Sequence, residues 1–568
     1  MKISVISVPV NNKVSEPFLM PNMTLSIMAS ELIKEKHEVQ IIDLEKLWFS
    51  EIKYELSKEE KEILSDLDKA TKKNKKTIDL GRKIAKISGI LETDILAVSF
   101  TDLRPEPLSL ALPLLIGLYL KTRKKDIKIV TGGYGLGYYA HLEIIKKFKI
   151  YDYAVYSKNG AASLLNIIEK INGKNVTLFE TIERKGEKLI NHKSKTNLPF
   201  NPTPYYSKKI IKKYEYDDKT ILSRYNPNPI GQKLISGKKY IVVPYIFELY
   251  CPNRCAFCEQ NVFKPNLKSV SQVIEEISIL KNMGVNGIYF VNSSFNNHYK
   301  YTEELCEKII KYKLDIKWMD CASFINIDQN LLNKMKKAGA VKLTWGVESA
   351  SPKILKYINK NTTVEKISNF LKYSHNLGIT NHIELIAGLP YETPKDIQKN
   401  LNFIKNHSKY IDIYTLNSFY LYSNSHFFIN PEKFGIKIKP YRNFKKMNFF
   451  PKGSRTSVGR FSYMFDEISG LKWKDKNKQI IESTQTIANA INKYSGLKKF
   501  GNEHVHLLFM LYDKLGYNKP LIKKVLNILT EKFIPYNLDF YLEDFDDICH
   551  KHEETRILLP KSKSLSII

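Results

Sequence analysis

A chain of 568 residues with 43% apolar content is long enough for two to four domains and too apolar to be disordered throughout. Its mean hydropathy is −0.31, and its longest apolar run, Pro107–Leu120, is short and carries two prolines, which argues against a membrane span. The net charge of +30 raises the question of a nucleic-acid partner, but the lysines are spread along the whole chain and Asn and Ile are also heavily used, so composition bias is the simpler reading.

The chain opens on Lys2–Val8, an apolar run that reads as a β-strand rather than a targeting segment, so the expected compartment is the cytoplasm. Met23–Lys36 has helical spacing through Leu25, Met28, Leu32 and Ile33, and His37–Asp43 is a second strand. Leu56–Ile90 is charged and helical, with the character of an insertion. Asp94–Phe100 is a third strand, Pro107–Lys121 an apolar helix, and Asp126–Val130 a strand that runs into Thr131-Gly132-Gly133. Tyr151–Tyr156 and Gly160–Ile171 complete the series. Strands that alternate with helices predict parallel βαβ units, hence a doubly wound, Rossmann-like α/β domain over 1–171. Residues 172–238 are polar, Lys-rich and punctuated by prolines at 199, 202, 204, 227 and 229, which reads as a linker.

A second alternation fills 239–425. Strands are expected near Ile241–Glu248, Gly287–Val291, Asp315–Asp320, Val341–Val347, His382–Ala387 and Ile411–Leu416, with helices between them. Six βα units in succession predict an open, partial (β/α)6 barrel with its chemistry at the C-terminal ends of the strands. Residues 426–568 read as mainly helical, with helices over Lys478–Tyr494, Val505–Leu515 and Lys519–Phe533 and a loose tail after Pro560.

Six cysteines are too few for a disulfide scaffold, yet three of them fall within eight residues: Cys251-Pro-Asn-Arg-Cys255-Ala-Phe-Cys258. Three thiolates on one loop can each take one iron of a cubane, and with no fourth cysteine nearby one iron keeps open positions. Structural zinc would need four ligands in spaced pairs, and the nearest histidine, His298, is forty residues away. Cys306 on an amphipathic helix and Cys549 near the C-terminus read as packing residues. Cys321, at the end of the third barrel strand, points to the rim of the site.

Cys-x3-Cys-x-aromatic-Cys directly after the first strand of a partial barrel, with Phe257 in the aromatic position, resembles the radical S-adenosylmethionine signature. That resemblance implies a [4Fe–4S] cluster on Cys251, Cys255 and Cys258 and S-adenosylmethionine on the open iron. It also implies reductive cleavage to a 5′-deoxyadenosyl radical, and an electron donor such as flavodoxin or ferredoxin. It further suggests cofactor contacts at Phe257, at Asn292 after the second strand, at Glu348 and Ser349 of Gly-Val-Glu-Ser, and at Gly388 of Gly-Leu-Pro. Asn292 stands where many members carry acidic residues or glycine. Ser349 or Ser351 would also serve to cap the helix that begins at Pro352.

The order of elements over roughly 1–425, with His37–Asp43, Ser99, Thr131-Gly132-Gly133 and Leu198–Tyr205, resembles the cobalamin-binding subgroup of these proteins. It implies cobalamin near Ser99, Gly132 and Gly133. The Asp-x-His-x-x-Gly motif for an axial histidine is absent, and Tyr156-Ser-Lys-Asn-Gly-Ala161 replaces the subgroup's Gly-Glu-Gly-Glu stretch. With cobalamin, the implied reaction is methyl transfer to an unactivated carbon of a natural product, peptide or lipid. Without it, maturation of a ribosomal peptide, rearrangement or oxidation is implied. An RNA-modifying methylthiotransferase would carry three more cysteines near the N-terminus, and none precedes Cys251.

Overall fold

The computed structural model describes residues 1–9, 20–90, 92–100, 107–133, 137–194, 203–223, 225, 232–258, 266–422, 425–439, 463–494 and 504–530. The readings at Cys549 and after Pro560 lie outside them.

The N-terminal sheet is built from β1 (Lys2–Ser7), β2 (Glu38–Asp43), β3 (Ile95–Ser99), β4 (Lys128–Gly132) and β5 (Tyr153–Val155), all parallel, in the order β2-β1-β3-β4-β5. Its central strands are apolar on both faces because helices cover both; β3 is buried throughout. α1 (Met23–Lys34) lies on one face, and α2 (Lys75–Ile87) and α3 (Pro107–Arg123) on the other. α3 is buried on nearly every side, which explains its apolar run: it is a core helix between the sheet and α2. α4 (Gly137–Lys147) and α5 (Gly160–Ile171) follow β4 and β5, and α5 joins α1 on its face. The strand order reverses direction between β1 and β3, so the C-terminal edge there is a topological switch point.

The stretch expected as linker holds regular structure. β6 (Thr181–Lys185) and β7 (Lys188–His192) form an antiparallel hairpin that extends the first sheet beyond β5. The turn between them carries Gly186 with φ of 60°. Its many charged residues lie on an edge strand with one wet face, which is where a Lys/Glu-rich strand is tolerated. β8 (Glu215–Asp217) then pairs antiparallel with the first strand of the second sheet.

That sheet is β9 (Lys239–Tyr245), β10 (Gly287–Phe290), β11 (Lys317–Ala322), β12 (Ala340–Glu348), β13 (Thr380–Ala387) and β14 (Ile413–Ser418), parallel and in sequential order. α6 (Val270–Asn282), α7 (Tyr299–Lys311), α8 (Gln329–Lys337), α9 (Pro352–Tyr357), α10 (Val364–Asn376) and α11 (Pro394–His407) connect the strands. Outward residues such as Leu343, Trp345, Ile383, Leu385 and Leu416 pack against this helical layer, with Cys306 buried among them. The result is the half-barrel that the alternation predicts. After it come α12 (His426–Ile429) and a two-stranded ribbon of β15 (Ile436–Ile438) and β16 (Phe465–Glu467). α13 (Trp473–Tyr494), α14 (Val505–Leu515) and α15 (Lys519–Thr530) complete the described chain. α13 covers β14, the otherwise open edge of the half-barrel. α14 closes its floor, packing Leu507–Tyr512 with Val242, Met319 and Val341. Among the described residues no helix is long and apolar enough to cross a membrane.

Candidate functional site

The cysteine loop begins where β9 ends. Its approach is held by side chains from the next connection: the Ser293 hydroxyl donates to the Tyr250 carbonyl at 2.8 Å, and Asn297 Nδ2 to the same oxygen at 3.1 Å. Its middle is clamped from two sides, since the Ala256 N–H donates to the Ile358 carbonyl and the Ala256 carbonyl accepts from Phe427 N–H, both at 2.9 Å. Cys255 is buried, and Cys251 and Cys258 are half-buried; none of the three is in a disulfide. Burial pushes the Cys251 and Cys255 thiols up, while the Asn253 N–H and the Ser293 hydroxyl favour the Cys251 thiolate. The loop thus carries three soft sulfur donors within eight residues, the ligand type that iron–sulfur clusters use. Phe257 packs against the apolar cluster that contains Ile354, Ile386 and Leu389, which anchors the aromatic side of the loop to the barrel rim.

Asn292 is fully engaged at the base of this loop. Its Oδ1 accepts from the Phe247 and Glu248 N–H groups at 3.0 and 3.1 Å, and its Nδ2 donates to Asp320 at 2.7 Å. It therefore ties the ends of β9, β10 and β11 together. The buried Glu248 is held in turn by Asn297 at 3.0 Å and pairs with His298 at 2.9 Å. Burial pushes the Asp320 carboxyl up to about 8, against the pull of the Asn292 hydrogen bond.

At the end of β12 the register with β13 slips between Gly346 and Glu348, and Glu348 takes φ of 62°. This bulge sets Glu348 Oε1 2.8 Å from Lys360 Nζ, with the two side chains 7% and 18% exposed. A Cβ on Gly346 would fall 2.5 Å from that carboxylate oxygen and 2.7 Å from the ammonium, so a side chain there would push the ends of the pair aside. Glu384, half-buried on β13, is pushed up to about 7 by burial and then by the Glu348 charge. Cys321 is half-buried on β11 and shares the concave face with Tyr289, Lys342 and Glu384. Its thiol is driven up by burial and by Asp320, so it stays protonated. Burial brings Lys342 down to about 8.

Ser349 and Gly388 sit differently from what their motifs suggest. Ser349 is fully buried on the helical side, where its hydroxyl donates to Asn400 at 3.3 Å and accepts from the Ser351 N–H at 3.2 Å. Ser351 stands at the N-cap of α9 with Pro352 in the first turn. Gly388 has φ of 81°, and a Cβ there would lie 2.5 Å from Ile480 Cγ1. The glycine thus admits α13 to the barrel, and its N–H donates to Glu392 at 2.7 Å.

A second site lies at the C-terminal edge of the first sheet. Ser99, Gly132 and Gly133 line one cavity of about 310 Å³, together with α1, the start of α5, and Ile246 and Leu249 from the half-barrel. Gly133 has φ of 147°, and any Cβ there would strike the Phe100 carbonyl at 2.1 Å. The buried Thr131 Oγ1 has no hydrogen-bond partner among the described residues. The fully buried His141 contacts the Gly133 carbonyl at 2.9 Å, and burial lowers it to about 4, so it is a neutral prop for this turn. Leu249 stands two residues before Cys251, so the cavity and the cysteine loop share a wall.

Sequence reasoning missed Lys360, Glu384 and the Glu248–His298 pair. Glu384 had a signal, because polar His382 and Glu384 alternate with apolar Ile383 and Leu385 along β13. Lys360 had none, since it stands in a polar turn, Asn359-Lys-Asn-Thr362.

The family model of the Radical SAM superfamily matches residues 245–404. With the three cysteines at the mouth of the half-barrel, this identifies the segment 245–404 as a radical S-adenosylmethionine domain. Over nearly its whole length the fold is shared with the radical S-adenosylmethionine methyltransferase TsrM of Kitasatospora setae, solved with cobalamin and a [4Fe–4S] cluster. The TM-score is 0.58 at 12% identity, over 93% of this chain and 98% of that one. The cobalamin-dependent S-adenosylmethionine radical enzyme OxsB aligns with a TM-score of 0.58 at 16% identity, over 97% of this chain and 75% of OxsB. In sequence, an uncharacterized methyltransferase of Pyrococcus horikoshii is 30% identical over 159 residues, 27% of this chain. The chain spans about a third of that relative's length, 35%.

Proposed function

We propose that this protein is a cobalamin-dependent radical S-adenosylmethionine methyltransferase that acts on an unactivated carbon of a natural-product, peptide or lipid substrate. The observation that carries the reading is the shared wall: the cavity at the switch point of the first sheet is bounded by Ile246 and Leu249, immediately before Cys251. When bound, the cluster and S-adenosylmethionine supply a carbon-centred radical and the corrinoid supplies a methyl group.

The residues divide the work. Cys251, Cys255 and Cys258 hold the cluster on a loop that Ser293, Asn297 and Ile358 keep rigid. Glu348 and Glu384 offer carboxyl groups to the polar parts of S-adenosylmethionine, and Phe257 offers an apolar face. Asn292 and Ser349 act behind them, by fixing the strand ends and the turn into α9. In the first domain, the Thr131 hydroxyl and the bare backbone of Gly132 and Gly133 fit a large polar ligand that needs close approach. A low-potential donor such as flavodoxin or ferredoxin supplies the electron.

The test is anaerobic: protein reconstituted with iron and sulfide is given hydroxocobalamin, desalted and assayed with S-adenosylmethionine under strong reductant. Retained corrinoid absorption and release of deoxyadenosine are expected. Deoxyadenosine without retained corrinoid would turn the assignment to a non-methylating radical reaction, and its absence would remove the radical reading. Replacing Cys251, Cys255 and Cys258 by Ala should abolish cluster and cleavage together.

A further inference from the structure

Among the side chains around the cysteine loop, Lys360 is a largely buried cation, paired with Glu348 at 2.8 Å. It follows α9 in a tight turn: its N–H donates to the Leu355 carbonyl at 2.9 Å, and its carbonyl accepts from Thr362 N–H at 2.6 Å. Asn359 before it holds φ of 54°. Two residues upstream, the Ile358 carbonyl takes the Ala256 N–H, between Cys255 and Cys258. The lysine's backbone is therefore clamped to the cysteine loop. Its ammonium acts on Cys255, Cys258 and Cys251, as well as on Glu348. Burial opposes that charge, yet Glu348 and Cys255 hold the ammonium well above its usual range. Gly346, bare at the one point where a methyl group would collide with Nζ, leaves space for it.

We infer that Lys360 is a positioning residue that sets the reduction potential of the cluster, and that Glu348 is the counter-charge that limits its effect. The inference rests on the cluster being bound by Cys251, Cys255 and Cys258. A cubane held by three thiolates is net negative, and reduction adds one more electron from an external donor, with no bond made and no proton moved. A fixed cation in a half-buried bowl favours the reduced form, since charge in low dielectric is poorly screened. Glu348 opposes this, and a neutral isostere at that position leaves the lysine unopposed.

The two variants therefore move in opposite directions, which a purely structural role would not produce. The experiment is potentiometric titration with dithionite and redox mediators, read by electron paramagnetic resonance of the reduced cluster, without S-adenosylmethionine. Iron and sulfide content are measured first. Lys360→Met should keep its cluster, and its ratio of reduced to oxidised cluster at a given potential should fall about tenfold, a midpoint shift of about 59 mV for one electron. Lys360→Arg should stay near wild type, and Glu348→Gln should shift the ratio upward. Loss of iron from the wild-type preparation would defeat the underlying cluster assignment instead. Clusters retained with an unchanged midpoint in Lys360→Met, or a downward shift in Glu348→Gln, would overturn the role of Lys360.

Discussion

Burial beside Glu348 holds the Glu384 carboxyl at about 7, against an unperturbed 4.5. A carboxyl with a raised folded-state value binds its proton more tightly when folded. Its contribution is therefore intact below pH 4.5 and is lost as pH rises towards 7. Glu384→Gln removes this dependence. Thermal unfolding of the apoprotein from pH 5 to 8 should show wild type losing stability relative to the variant, by about 1–3 kcal/mol at the alkaline end. Parallel curves would remove Glu384 from the buried set. Ser349 gives a second test at this scale. Its hydroxyl bridges Asn400 and the Ser351 N–H inside the helical layer, so Ser349→Ala should lower stability by about 1–3 kcal/mol in denaturant unfolding. The two residues show why neighbours in a motif diverge. Glu348 and Ser349 are adjacent in sequence, but successive strand residues face opposite sides, and the bulge at Gly346 decides which side each takes. The Gly-x-Glu-Ser pattern marked the place; it carried no information on orientation.

Between elements, the telling contact is α13 against the turn after β13. Gly388 combines φ of 81° with Ile480 at 2.5 Å from its missing Cβ. Gly388→Ala should cost about 2–4 kcal/mol, from backbone strain and overpacking together. Adding Ile480→Ala removes the Cγ1 contact but keeps Ile480 Cα and Cβ at 2.8 and 2.9 Å from the new methyl group, so the double-mutant cycle should show partial coupling with most of the cost retained; strict additivity would mean that helix and turn are independent. This contact was illegible beforehand because its partners are 92 positions apart in the chain. What was legible is local. The strands of both sheets stood out as apolar runs between turns, and the cysteines by spacing. The β6–β7 hairpin was hidden by its charge, since an edge strand with one wet face has the composition of a linker.

For the molecule as a whole, the decisive geometry is that a cavity of the first domain is walled by residues of the second. Binding there should stabilise both sheets by mass action. Hydroxocobalamin is therefore expected to raise Tm in a concentration-dependent way. Gly160, at the start of α5, lines the cavity, and a Cβ there would meet nothing within 4 Å. Gly160→Phe should fill the space without disturbing the fold, and abolish the Tm shift while the protein still takes up iron and sulfide. A full shift in that variant would place the corrinoid elsewhere.

The helix that closes the half-barrel floor has one more consequence, for the order in which the protein is made. α14 is Val505–Leu515, yet it buries Val242, Met319 and Val341, residues translated some 160 to 260 positions earlier. While the ribosome is still working through the intervening segment, those apolar strand faces have no cover. The nascent half-barrel is then an exposed sticky surface, of the kind that recruits chaperones or aggregates. A nascent chain stalled after residue 494 should be captured by holdases and digested readily within 239–420. One stalled far enough past 530 for α14 to clear the exit tunnel should resist both.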